Sequence, residues 1–168
     1  IIIEKSGQIT IMNPRPEMGQ GTHQSVPALI AEELEVSLDQ VIIKPTSGES
    51  EFGRQVSGGS ASVRTSYFDL RKVGASARKM LIKAASEQWN VNADDCYAEN
   101  ARIYHRSSGK NLGYGELVES ASRMEVPQDP GLKDPKDFRI LGKSYPRPDI
   151  PLKISGVAQF GIDAEVPG

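Results

Sequence analysis

Two short glycine-bearing stretches hold most of the chemistry this sequence can offer. The first is Glu17-Met18-Gly19-Gln20-Gly21, which follows the strand-like run Ile9-Thr10-Ile11-Met12. Glycine lets a backbone approach a ligand closely or adopt positive φ, and the glutamine between the two carries a neutral acceptor and donor. The stretch reads either as a tight turn or as a bare loop that offers one amide to a ligand. The second runs from Ser57 through Gly58, Gly59, Ser60, Ala61, Ser62, Val63, Arg64 and Thr65 to Ser66, at the head of the longest helical pattern. Free N–H groups and the positive end of a helix dipole suit an anion there. Hydroxyls add donors, and Arg64 supplies a fixed positive charge suited to phosphate. The plainer alternative is a serine-capped helix behind a flexible loop.

Neither stretch is a Walker A loop, which needs Gly-Lys-Ser/Thr, and neither is the dinucleotide fingerprint. Two glycine loops, each leading into a helix, nevertheless suit convergence on one phosphate-bearing ligand. Acid–base chemistry is poorly supplied. Glu17 reads first as a structural carboxylate that accepts backbone N–H bonds, with a role as base the alternative. His23 falls in a first helical turn, His105 in a hairpin, and Asp94-Asp95 at a turn. No nucleophile–base arrangement of the triad kind emerges from the spacing.

Composition narrows the class. Hydrophobic residues are 38% and charged ones 25% of 168 residues, enough for one domain, or a domain with an appendage, around a real core. A net charge of −2, with scattered Lys and Arg, gives no reason to expect nucleic acid. Cys96 is the single cysteine, so an internal disulfide is excluded, and with two histidines no zinc or haem spacing exists. No apolar run reaches membrane-spanning length. The chain opens on Ile1-Ile2-Ile3 and stops at Val166-Pro167-Gly168, so both ends are expected to be cuts in something larger.

The elements that must position the loops follow from periodicity. Residues 1–12 read as two strands around Ser6-Gly7, and 28–38 as a helix with Ser25 as N-cap and Pro27 in its first turn. Gln40–Lys44 reads as a strand ended by Pro45. Residues 46–59 form a long polar loop, expected to be mobile. Residues 62–89 read as a helix with Tyr67, Leu70, Val73, Ala77, Leu81, Ala84 and Gln88 on the apolar side and Arg71, Arg78 and Lys79 largely opposite. Gly74, Ala75 and Ala77 leave room for another element to pack closely. Cys96–Tyr114 reads as two strands around Ser107–Lys110, and Gly115–Arg123 as a short helix. Six prolines between Pro127 and Pro151 deny both helix and sheet to the segment from 125 to 151, and Val157–Phe160 reads as a new strand. The expected fold is α/β (α+β): a small mixed sheet with two main helices on one face, followed by a proline-rich extended connector. The expected units are 1–124, 125–152 and 153–168.

Several motifs together resemble the molybdenum-cofactor-binding subunit of the xanthine dehydrogenase/aldehyde oxidase family, and most of all the branch that holds the beta subunit of isoquinoline 1-oxidoreductase. They are Glu17–Gly21, Ile30-Ala31-Glu32-Glu33-Leu34, Gly58–Arg64, Tyr114–Leu117, Leu132–Lys143 and Gly156–Asp163. The resemblance implies that Gly19, Gln20 and Gly21 line molybdopterin, with Gln20 offering its amide. It implies that Gly59, Ser60, Ala61, Ser62, Val63 and Arg64 offer N–H and hydroxyl groups to the pterin or its phosphate end. Arg64 departs from the small or hydroxyl residue of xanthine oxidases proper, which leaves it either at the cofactor or in a helix-surface pair. The family's catalytic glutamate would lie beyond residue 168, so no catalytic residue is expected here. The tail from Lys153 would open a hammerhead-like domain.

The implied activity is hydroxylation of an N-heterocycle or aldehyde with water-derived oxygen. [2Fe–2S] clusters would sit on a small partner subunit, since one cysteine cannot hold a cluster. The remaining domains of the same subunit are the other implied partners, the isolated piece is expected to carry no cofactor, and the source is expected to be bacterial. The compartment stays open, with periplasmic or membrane-associated places compatible with the family. Two rivals rest on the same residues: a phosphate- or nucleotide-binding module, and a non-catalytic docking domain.

Overall fold

The computed structural model describes residues 1–165. Strands β1 (Ile2–Ile3) and β2 (Ile9–Asn13) form the expected antiparallel hairpin, and β3 (Val41–Pro45) lies parallel to β2 with Ile9 opposite Val41 and Ile11 opposite Ile43. A parallel pair needs a crossover, and helix α1 (Thr22–Leu34) provides it. Helix α2 (Tyr67–Trp89) leads to a meander of β4 (Cys96–Glu99), β5 (Arg102–His105) and β6 (Asn111–Gly113), closed by helix α3 (Tyr114–Ala121). The strands make two separate three-stranded sheets, β1-β2-β3 and β4-β5-β6, in place of the one small sheet expected. The α/β class stands; the single sheet does not. The hydrophobic core runs continuously between the sheets through α1, α2 and α3.

The β4–β5 hairpin is hidden in the sequence because its turn lacks glycine. Asn100 and Ala101 take φ of 48° and 58° between paired Glu99 and Arg102, the signature of a two-residue primed turn. Alanine rarely adopts that region, so no turn signal marks it.

Helix α1 starts at Thr22, with Gly21 as its N-cap, and not behind Ser25. Pro27 therefore sits in its second turn. Every residue from Val26 to Leu34 is buried, so α1 is the central helix and not a one-faced surface helix. Leu38 leaves it for a 3-10 turn at Leu38–Gln40. Helix α2 starts five residues later than its periodicity suggests, the stretch 62–66 forming turns. Gly74 marks the crossing of the two helices: a Cβ there would lie 2.4 Å from the Ile30 carbonyl oxygen.

The two arginines on the basic side of α2 turn inward, while Lys79 stays exposed. Arg71 is buried; its Nε donates to Glu33 at 2.8 Å and its guanidinium also donates to the Lys133 carbonyl at 2.7 Å and the Tyr67 hydroxyl at 3.1 Å. Its charge lies over the rings of Tyr67 and Phe138. Arg78 approaches Glu33 at 3.5 Å, and Lys79 reaches the Asp129 carbonyl. The proline-rich segment is thus a strap laid along α1 and α2. Glu32 anchors its other side, accepting from the backbone N–H groups of Arg139, Ile140 and Leu141 and from the Lys133 ammonium.

Two expectations for the tail are corrected. Residues Ile150–Ile154 form a short helix, α4, with Pro151 in its first turn, where the missing N–H is harmless. Val157–Phe160 forms no strand in the described residues. Instead the Val157 and Ala158 N–H groups fold back to the Leu152 carbonyl. Val166-Pro167-Gly168 lie outside the described residues. The loop 46–59 is tied by polar contacts centred on Gln55, whose amide donates to the Glu49 carbonyl and whose oxygen accepts from Thr46 and the Gly48 N–H.

Gly74→Ala is expected to lower stability by about 1–3 kcal/mol, because backbone and not a flexible side-chain tip meets the new methyl. Glu33→Ala should lose roughly 3–5 kcal/mol by leaving the buried Arg71 charge without its carboxylate. Urea denaturation midpoints of both variants check these values.

Candidate functional site

The first loop is closed at its base by Asn13. Its buried amide donates to the Thr22 carbonyl at 3.2 Å, joining the end of β2 to the first turn of α1. Gly19 and Gly21 take φ of 100° and 89°, which accounts for both glycines. The Glu17 carboxylate lies inside the loop, accepting from the N–H groups of Gly19 at 2.7 Å, Gly21 at 3.0 Å and His23 at 2.8 Å. Glu17 is therefore the structural carboxylate expected from the sequence, and it caps α1 from outside the helix. Burial pushes its carboxyl up. The three backbone donors and nearby Arg147 outweigh that and hold it below the usual range.

Gln20 folds back on its own loop. Its oxygen accepts from the Met18 N–H at 2.6 Å, and its amide donates to the Pro16 carbonyl at 2.8 Å and the Thr22 hydroxyl at 3.2 Å. Its amide must exchange these partners before it can serve a ligand.

The two glycine loops lie side by side. The Ser57 hydroxyl donates to the same Pro16 carbonyl at 2.8 Å and accepts from Ser62 at 3.4 Å. Arg15 ties the second loop to the first. Its guanidinium donates to the Ser66 hydroxyl at 2.8 Å and to the carbonyls of Arg54 and Val56 at 3.1 and 3.0 Å. Sequence reasoning misses Arg15, since nothing local distinguishes it from the scattered basic residues.

Unlike the first loop, the second keeps its donors free. The N–H groups of Gly59, Ser60, Ser62, Val63 and Arg64 donate to no group among the described residues, whereas those of Ala61, Thr65 and Ser66 close local turns. Ser60 takes φ of 51°, an uncommon conformation for serine that follows Gly59 at φ 58°. Arg64 is exposed and forms neither a hydrogen bond nor an ion pair among the described residues, so the helix-surface pair is not made. A neighbouring open cleft of about 840 Å³ is lined by Gln24, Leu29, Val63, Tyr67 and Phe138 among others.

The remaining candidates fall where chemistry is not expected. His105 bonds Ser107 and Ser108 in the β5–β6 hairpin, and Asp94-Asp95 lie in a 3-10 turn. Burial pushes the Cys96 thiol up, away from reactivity. Among the described residues no group of three or more His, Cys, Asp or Glu could hold a metal, and no helix is long and apolar enough to cross a membrane.

This donor set, neutral N–H and hydroxyl groups beside one unpaired guanidinium, fits a polar, phosphate-bearing ligand. Residues 1–149 match the molybdopterin cofactor-binding domain family. The chain belongs to that family. It is 32% identical to the beta subunit of isoquinoline 1-oxidoreductase from Brevundimonas diminuta, over 99% of this chain and 26% of the relative. It is 29% identical to a nicotinate dehydrogenase subunit of Pseudomonas putida, over 99% of this chain and 14% of the relative. The chain thus spans about a quarter or less of these relatives' lengths. Its fold is shared with quinoline 2-oxidoreductase from Pseudomonas putida 86 (TM-score 0.56, 16% identity, 77% of this chain and 17% of that one).

Glu17 yields a pH dependence. Its folded value is depressed, so its contribution is fully present above the ordinary carboxylate range and is lost as pH falls through the folded value. Glu17→Gln should flatten that acid limb and loosen residues 17–23, as followed by unfolding midpoints between neutral and acid pH.

Proposed function

We propose that this chain is the part of a molybdenum hydroxylase that cradles molybdopterin with two glycine loops. The observation that carries the reading is the set of N–H donors at Gly59, Ser60, Ser62, Val63 and Arg64, unused among the described residues and held beside the Gly19-Gln20-Gly21 loop by Arg15 and the shared Pro16 carbonyl. Ser60, Ser62 and the Arg64 guanidinium would meet the phosphate end of the cofactor. Gln20 would trade its Pro16 and Met18 contacts for the pterin, with Gly19 and Gly21 keeping the approach open and Ala61 and Val63 adding small and apolar wall. When bound, the cofactor would supply the redox chemistry that adds water-derived oxygen to an N-heterocycle or aldehyde. This chain's own residues bind and orient it; none is assigned a proton-transfer role.

The segment 1–124 would be the cofactor-binding unit, 125–152 the strap, and residues from 153 the lead into a further domain. Iron–sulfur clusters would belong to a partner subunit, consistent with the single cysteine. A nucleotide-binding reading is less favoured, because the α1 N-terminus already holds the Glu17 carboxylate where a phosphate would sit. The docking reading is favoured by loops far apart in space, and these loops are in contact.

In the complete gene product, Gln20→Ala should lower pterin and molybdenum content about tenfold, the loss of one or two buried hydrogen bonds. Metal analysis and mass spectrometry of the released ligand read the result. Unchanged molybdenum in the variant would remove Gln20 from the site, and a nucleotide in place of a pterin in the unaltered protein would overturn the reading.

A further inference from the structure

The end of the strap returns to the first glycine loop. Arg147 Nη1 donates to the Gly19 carbonyl at 2.8 Å, across 128 residues of chain. A Cβ built on Gly21 would lie 3.9 Å from the same nitrogen, so the guanidinium covers both glycines. Its Nη2 stands 3.7 Å from Glu17 Oε1, the oxygen that accepts from the Gly19 and Gly21 N–H groups. Arg147 is itself held in place. Asp149 accepts a two-point bond from it, Nε to Oδ1 at 2.9 Å and Nη2 to Oδ2 at 2.6 Å, and Lys153 in α4 donates to the same Oδ2 at 2.6 Å.

We propose that Arg147 is a positioning residue for the first glycine loop, which lets the strap set the shape of the loop. The cofactor-binding consequence rests on the function proposed above; the loop-shaping claim does not. A glycine-rich loop has little rigidity of its own, because its residues populate both signs of φ with similar ease. Glu17 ties the loop's N–H groups from within, and Arg147 ties the Gly19 carbonyl from without. Together they hold both faces of the Gly19 peptide neighbourhood in one arrangement. A planar guanidinium suits this role, since one edge is fixed by a carboxylate while another nitrogen remains free for the carbonyl. Asp149 orients the arginine and Lys153 orients Asp149, so α4 belongs to the same chain of contacts.

The test uses the complete gene product and compares Arg147→Ala, Arg147→Lys and Asp149→Asn with the unaltered protein. Hydrogen exchange is read at the amides of 17–23 and, as a control, at the amides of Leu81–Ser86 in α2, alongside pterin content. Arg147→Ala should speed exchange at Gly19 and Gly21 about tenfold, leave the α2 amides unchanged, and lower pterin content. Arg147→Lys keeps a cation within reach of the carbonyl but loses the two-point bond, so it should restore part of the protection. Asp149→Asn should move exchange in the same direction by less. Unchanged exchange across 17–23 in Arg147→Ala would overturn the proposal. So would a rise spread evenly through α2; faster loop exchange with pterin content unaltered in a pterin-bearing protein would overturn its cofactor-binding consequence. If the unaltered protein carries no pterin, the proposed function fails, while the exchange measurements still decide whether Arg147 positions the loop.

Discussion

Two adjacent carboxylates buried in the last turn of a helix govern this structure. Glu32 and Glu33 lie within the buried run of α1, where an unpaired charge would be costly to keep. Glu33 is met by Arg71 and Arg78 from α2 and by the Lys133 N–H; Glu32 is met by the Lys133 ammonium and by three consecutive backbone N–H groups at 139–141. Burial pushes the Glu32 carboxyl up, and these donors more than reverse it. Among the described residues no buried side-chain nitrogen or oxygen lacks a partner. The strap must therefore dock for α1 to be tolerable as a central helix. A segment that can form neither sheet nor long helix gains a fixed path because its backbone donors are needed elsewhere.

That docking has consequences at a distance. Once 133–141 is seated, the following residues run back over the start of α1 and bring Arg147 to Gly19. Arg71 serves both sides, bonding Glu33 while its face lies against Phe138 of the strap. At Arg71 and Arg78 the polar side of α2 is in this sense an interior surface, while its lysines stay exposed. The helix pair, the strap and the first loop form one connected set of contacts.

The two glycine loops divide their duties. Both precede helices and both have free-backbone potential, yet the first is filled by its own carboxylate and the second is left open. Glu17 neutralises the α1 N-terminus, so the first loop presents a shaped backbone and one amide. The N–H groups of Gly59, Ser60, Ser62, Val63 and Arg64 stay unused among the described residues, beside a serine in the left-handed region.

Local matters are legible in the sequence: the hairpin at Ser6-Gly7, a helix between the second and third strands, the long second helix, the close approach at Gly74, the structural role of Glu17 and the two loops as candidate sites. Each depends on residues near one another in the chain, where spacing and glycine chemistry speak directly. Folding settles that Thr22 and not Ser25 opens α1, because the capping carboxylate comes from a loop and not from a helix-proximal serine. It decided that Arg71 and Arg78 face inward, since their partners lie on α1 and at 131–133. It also decided the separation of the strands into two sheets, the unmade strand at 157–160, and the convergence of Arg15 and Arg147 on the loops. Periodicity separates polar from apolar faces, but a buried ion pair makes a polar face internal, and no spacing rule reveals which charges will find each other across the fold.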